Sequence, residues 1–131
     1  MNTSGNHSNN NRKIGDVGEN QAVMFLENIA YVILQQNFCI RGGEIDIIAK
    51  DGDVYVFVEV KTRHQGQFGT PEESISPAKL KFIQRSIFLY LKQKHLSEFD
   101  TDFRIDLIAI ENSYNNQEIR HYKNAFVFDD F

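Results

Sequence analysis

The sequence predicts an α/β domain with a mixed sheet flanked by helices, in the order αβββαββ. Three observations predict it. Two stretches carry apolar residues at helical spacing, and several short runs between and after them are rich in β-branched residues. The second helix also falls between strands, which permits the strands on either side of it to lie parallel. Leu, Ile, Val and Phe supply 40 of the 131 residues, enough for one packed core and too few for two.

Residues 1–13, rich in Asn and Ser and without apolar periodicity, are expected to be a disordered tail, leaving 14–131 as a single domain. Val17, Ala22, Phe25, Leu26 and Ile29 then recur at helical spacing and predict a helix over 16–30. Strands follow at 31–40, 44–50 and 54–63. Asp51-Gly52-Asp53 between the last two is a hairpin signal, so these strands should be antiparallel neighbours. The polar stretch 64–75, with Gly66, Gly69 and Pro71, reads as a loop. Ser76-Pro77 offers an N-cap and a first-turn proline for a helix to about Lys94, lined on one side by Leu80, Ile83, Ile87 and Leu91. A strand over 103–110, a turn over 112–116 and a short strand over 118–122 complete the series. No internal repeat is present.

The apolar runs are too short to span a bilayer, and the N-terminus lacks the apolar stretch of a secretory signal. A lone Cys39 excludes a disulfide framework, and a reducing cytoplasm is the expected location. The net charge of −4 argues against nucleic acid as a partner, but the total hides a split. Residues 61–95 carry +5 and the remainder −9, so one face can bind an anion while the rest repels it.

Charged residues interrupt the apolar hairpin. Strand alternation puts Glu44 and Asp46 on one face and Phe57, Glu59 and Lys61 together on a face of the next strand. Counting from the turn at Gly52 brings Asp46 and Glu59 opposite each other within about one residue. Two carboxylates with an ammonium beside them suit Mg²⁺ or Mn²⁺ and a phosphate. A Glu-x-Lys triplet alone carries no weight, since this composition yields about 0.5 of them by chance. A Glu59–Lys61 ion pair at an exposed sheet edge would explain it equally well.

Glu19 borders the apolar stripe of the first helix and is positioned to reach the same site, although a first-turn Glu is also what the helix dipole favours. On the second helix Lys81, Arg85 and Lys92 lie within about 40° of each other, with Lys79 on the opposite flank. Such a row either tracks phosphates or is a solvated face. His64, His95 and His121 show no ligand spacing, and Arg104 with Asp106 reads as a structural ion pair.

The ordered series 41–50 (Arg-Gly-Gly-Glu-Ile-Asp-Ile-Ile-Ala-Lys), 56–63 (Val-Phe-Val-Glu-Val-Lys-Thr-Arg), Lys79, 104–110 (Arg-Ile-Asp-Leu-Ile-Ala-Ile) and 124–126 (Asn-Ala-Phe) resembles the YraN family. Its members are small bacterial proteins related to Holliday-junction resolvases, and the resemblance spans residues 14–128. It implies a restriction-endonuclease-like three-layer core and a Mg²⁺- or Mn²⁺-dependent DNA endonuclease of the PD-(D/E)xK type, acting on branched DNA, with a homodimer by analogy. The motif maps onto Asp46, Glu59 and Lys61, with Ile45 where the motif has Pro, and Glu19 matches the helical Glu of the resolvase-like branch. Asp46, Glu59 and the Val60 carbonyl would hold the metal, Lys61 would position the nucleophile or neutralise the phosphate, and Glu19 would tune the metal or hold a second one. Arg63, Lys79, Lys81, Arg85 and Lys92 would contact DNA. The alternative is a catalytically inactive module that retains the fold and binds nucleic acid or, through its acidic surface, a protein.

Overall fold

The computed structural model describes residues 6–65 and 69–126, with side chains for all of these except 6–16, 73 and 74. Helix α1 spans Asn6–Asn28, and strands β1 (Val32–Ile40), β2 (Gly43–Asp51) and β3 (Val54–His64) follow. After a short 3₁₀ turn, Pro71–Ser74, come helix α2 (Pro77–Gln93), β4 (Phe103–Ser113) and β5 (Asn116–Phe126). The order αβββαββ is the one the sequence predicts.

The strands form one sheet in the order β1-β2-β3-β4-β5. Adjacent strands are antiparallel except β3 and β4, which are parallel, because the connection between them passes through α2 and back. The predicted β2–β3 hairpin closes through Gly52-Asp53, with Gly52 at φ +61° where a side chain would be strained.

Each face of the sheet carries one helix. Ala22 and Leu26 of α1 pack on Ile47, Ala49, Val56, Val58, Ile108 and Ile110, while Ile83, Ile87, Tyr90 and Leu91 of α2 pack on Ile48, Phe57 and Ile105. Three layers result. At Gly18 the backbone of α1 comes so close to β3 that an added Cβ would lie 2.5 Å from Thr62 Oγ1. Helix α2 starts as predicted, with Pro77 in its first turn and the Ser76 hydroxyl accepting the Lys79 N–H at 3.1 Å.

Three elements run clearly longer than expected, among them β4, which continues to Ser113 and reduces the expected turn 112–116 to Tyr114-Asn115. Helix α1 runs back to Asn6, so residues 6–13, expected in a disordered tail, are helical, while residues 1–5 lie outside the described residues. Once a packed segment has nucleated a helix, each further turn needs no apolar face of its own, and the polar run carries no spacing that would announce it. Strand β5 covers Asn116–Phe126 instead of 118–122. Its backbone is paired by β4 along its length whatever its side chains, and its polar sequence hides that pairing.

Arg104 and Asp106 form the expected ion pair, Nε to Oδ1 at 2.9 Å. Asp106 is fully buried and also accepts from the Asn124 N–H at 2.9 Å and faces His121 Nε2 at 2.7 Å. Arg104 reaches Asp51 at 3.1 Å and donates to the Tyr31 hydroxyl as well.

Candidate active site

Residues 45–49 of β2 do not alternate strictly. Ile47 and Ala49 belong to the α1 side, yet both Ile45 and Ile48 belong to the α2 side, an odd separation that pure alternation forbids. The slip falls at Asp46, one step beyond the last regular pairing of Ile47 with Val58. There the Asp46 carboxylate turns toward β3 and accepts the Val60 N–H through Oδ2 at 2.8 Å. The expected opposition of Asp46 and Glu59 is therefore met, but by a slipped strand and not by a flat ladder.

Glu59 lies in the central strand β3, between β2 and β4, and is only 4% exposed. Its side chain shares the α2 side of the sheet with Phe57. One oxygen, Oε1, faces Lys79 Nζ at 3.4 Å and Lys61 Nζ at 3.7 Å. The other, Oε2, is buried and has no hydrogen-bond partner among the described residues. An exposed-edge ion pair is thus excluded: the carboxylate is internal, and the Lys61 contact is one of two.

Electrostatics follow from this burial. Desolvation, and then the neighbouring Glu59 charge, push Asp46 up to about 7, against the opposing pull of the Val60 N–H. Burial also raises Glu59, with Lys79 and Lys61 acting in the other direction. Glu44 adds negative potential to both. Two acids that resist ionisation in one another's presence form a site that a cation would relieve.

Lys79 is in the first turn of α2, where the helix dipole disfavours a cation. Its contact with Glu59 accounts for that departure and sets its ammonium beside the carboxylates, where the family resemblance sends a polar side chain from this helix. Glu19 is 7% exposed on α1, and its Oε1 faces Gln36 Nε2 of β1 at 3.4 Å. Cys39, farther along β1, donates to Glu44 Oε2 at 3.3 Å, which holds its thiol above the ordinary value, and it also senses the charge of Glu19. Strand β1 thus contacts Glu19 through Gln36 and Glu44 through Cys39. Gln36 and Cys39 carried no sequence signal, because neither belongs to a periodicity or a motif.

The sequence pattern of "Uncharacterised protein family UPF0102" matches residues 18–110, a span that includes Glu19, Asp46, Glu59, Lys61 and Lys79. The chain belongs to this family. A UPF0102 protein of Geotalea daltonii is 43% identical over 123 residues, covering 93% of this chain and 95% of the relative. Another, from Alkaliphilus oremlandii, is 45% identical over 116 residues, covering 88% and 99%, and one from Geobacter metallireducens is 44% identical over 117 residues, covering 88% and 93%. UPF0102 is the family that the sequence motifs identify under the name YraN.

The remaining candidate residues of this UPF0102 member lie elsewhere on α2 and β3, with Lys92 in the last turn of α2, at the opposite end from Lys79. Lys81, Arg85 and Lys92 are exposed along α2. Arg63, half-buried, lines a cavity of about 250 Å³ with His64, Gln65, Asn112, Glu111 and Glu118, and its Nε is buried without a hydrogen-bond partner among the described residues. No helix among the described residues is long and apolar enough to cross a membrane.

Proposed function

We propose that this protein is a metal-dependent DNA endonuclease of the PD-(D/E)xK type, hydrolysing phosphodiester bonds in branched DNA. One observation carries the reading: the half-buried carboxylate of Asp46 and the buried carboxylate of Glu59 lie on adjacent strands, with a Glu59 oxygen that has no hydrogen-bond partner among the described residues and two ammonium groups alongside. Among the described residues no group of three or more His, Cys, Asp or Glu converges. Mg²⁺ and Mn²⁺ need only one or two carboxylates, since waters and substrate phosphate complete their shell. Asp46, Glu59 and the Val60 carbonyl would hold the ion. Bound there, it would supply Lewis acidity toward the phosphate and the attacking water.

The chain's own groups do the rest. Lys61, on the same strand face as Glu59, would orient the nucleophile and stabilise charge developing on the phosphate. Lys79 supplies a second ammonium at that carboxylate, and Glu19, steadied by Gln36, would tune the affinity for the cation. A four-way junction offers two equivalent strands, which a homodimer would cut together.

The test incubates purified protein with single-stranded, duplex, flap and four-way DNA in Mn²⁺ or EDTA. Cleavage in Mn²⁺ alone, fastest on the four-way substrate and lost in Asp46→Ala, is the expected result. DNA bound but uncut by a protein that binds no Mn²⁺ would identify a binding module instead.

A further inference from the structure

Phe82 does not belong to the core. It is 39% exposed on α2, three residues after Lys79, and its ring lies over the β1–β2 turn. Gly42 in that turn is glycine by necessity, and Gly43 packs against the same ring. A Cβ on Gly42, at φ +93°, would meet Phe82 Cε1 at 3.1 Å, and one on Gly43 would meet Phe82 Cβ at 3.4 Å. The turn leads directly into Glu44 and Asp46, so the ring sits at the rim of the carboxylate cluster.

Cations surround it. At 100° per residue, Lys79 lies about 60° to one side of Phe82, and Arg85 and Lys81 lie about 60° and 100° to the other. Arg41 is in the turn beneath. Arg41, Lys81 and Arg85 are exposed and belong to no ion pair among the described residues. An exposed aromatic face ringed by unneutralised cations suits one ligand chemistry, an unpaired nucleobase carried on a phosphate backbone. A paired base has its face covered by its neighbours in the stack and could use only the cations.

Resting on the nuclease reading and deepening its substrate class, we propose that Phe82 is a stacking platform for an unpaired base beside the scissile phosphate, so that the site takes branched DNA whose pairing opens at the branch point. The contact is made by the ring face, independently of the metal.

The experiment is done in EDTA at low salt, where nothing is cut. Anisotropy of a labelled 12-nucleotide single strand and of a 12-base-pair duplex is measured for wild type, Phe82→Ala, Phe82→Leu and Phe82→Tyr, each checked by thermal melt. Single-strand affinity should fall about five-fold or more in the Ala and Leu variants, stay within about two-fold in the Tyr variant, and change less than about two-fold for duplex throughout. Because the chain has no Trp, Phe82→Trp provides a single reporter whose emission stacking should quench. No single-strand binding by wild type, equal losses on both DNAs, or an unquenched reporter at saturation would each overturn the proposal. Quenching without Mn²⁺-dependent cleavage would uphold the platform and refute the nuclease alone.

Discussion

The carboxyl of Asp46 ordinarily titrates near 3.8 and is pushed up to about 7, chiefly by burial and then by Glu59. A folded-state value above the unfolded one means that the fold favours the protonated form, so Asp46 costs no stability at acid pH and progressively more as pH rises from about 4 through about 7. Asp46→Asn keeps an oxygen for the Val60 N–H and removes the charge. Its melting temperature without metal should exceed wild type by roughly 3 °C or more at pH 8 and match it near pH 4, while the upward shift given by Mn²⁺ disappears. Melts at the two pH values with and without Mn²⁺ check this, and a retained Mn²⁺ shift would remove Asp46 from the metal site. Lys61 should act differently, because an ammonium 3.7 Å from Glu59 repels a cation yet assists a phosphate. Lys61→Ala should bind Mn²⁺ at least as tightly and lose about 100-fold or more in single-turnover rate, with Lys61→Arg restoring only part of it. Wild-type rates in Lys61→Ala at saturating Mn²⁺ would take this residue out of the mechanism.

Among the elements, α1 seats on β3 with Gly18 facing Thr62. With 2.5 Å between a built Cβ and Thr62 Oγ1, Gly18→Ala forces the Thr62 side chain or its surroundings to shift, which should cost about 1–3 kcal/mol despite the gain in helix propensity. Thr62→Ala in the same chain should recover part of the loss, a coupling that urea denaturation of the two single variants and the double variant would measure. A more stable Gly18→Ala would mean that the layers are not held at this point. Both helices were legible because their buried faces repeat at 3.6 residues, and β2 and β3 because β-branched runs flank a glycine turn. The slip at Asp46 was not legible, since alternation is the only rule a strand offers and the slip arises from a bond to the neighbouring strand. Strand β5 was seen only in part, as its polar residues have a partner strand and no core pattern. Asp106 was read correctly as structural. Its removal by Asp106→Ala should cost about 3 kcal/mol or more, because Arg104 and the Asn124 N–H lose their buried acceptor.

At the scale of the whole molecule, the charge split gives binding a direction. The +5 segment 61–95 supplies the Lys61 and Lys79 of the site and the exposed Lys81, Arg85 and Lys92, while the rest of the chain carries −9. If the exposed row follows phosphates, replacing all three by Ala should reduce the slope of log affinity against log salt by about 0.7 to 0.9 per side chain, without changing sequence preference. An unaltered slope would make the row a solvated helix face. The candidate residues Asp46, Glu59 and Lys61 were legible because ions inside apolar strands need a reason, and Glu19 because it borders the apolar stripe of α1. The roles of Gln36, Cys39 and Phe82 were not, because they depend on which elements the fold lays side by side. Single-turnover cleavage of a labelled four-way junction, followed in Mn²⁺ and in EDTA for wild type, Asp46→Asn and Glu59→Gln, tests the central assignment most directly. Product from wild type in Mn²⁺ alone, with both variants slower by about 100-fold or more, is the expected result. Equal cleavage by all three proteins, or cleavage in EDTA, would contradict it.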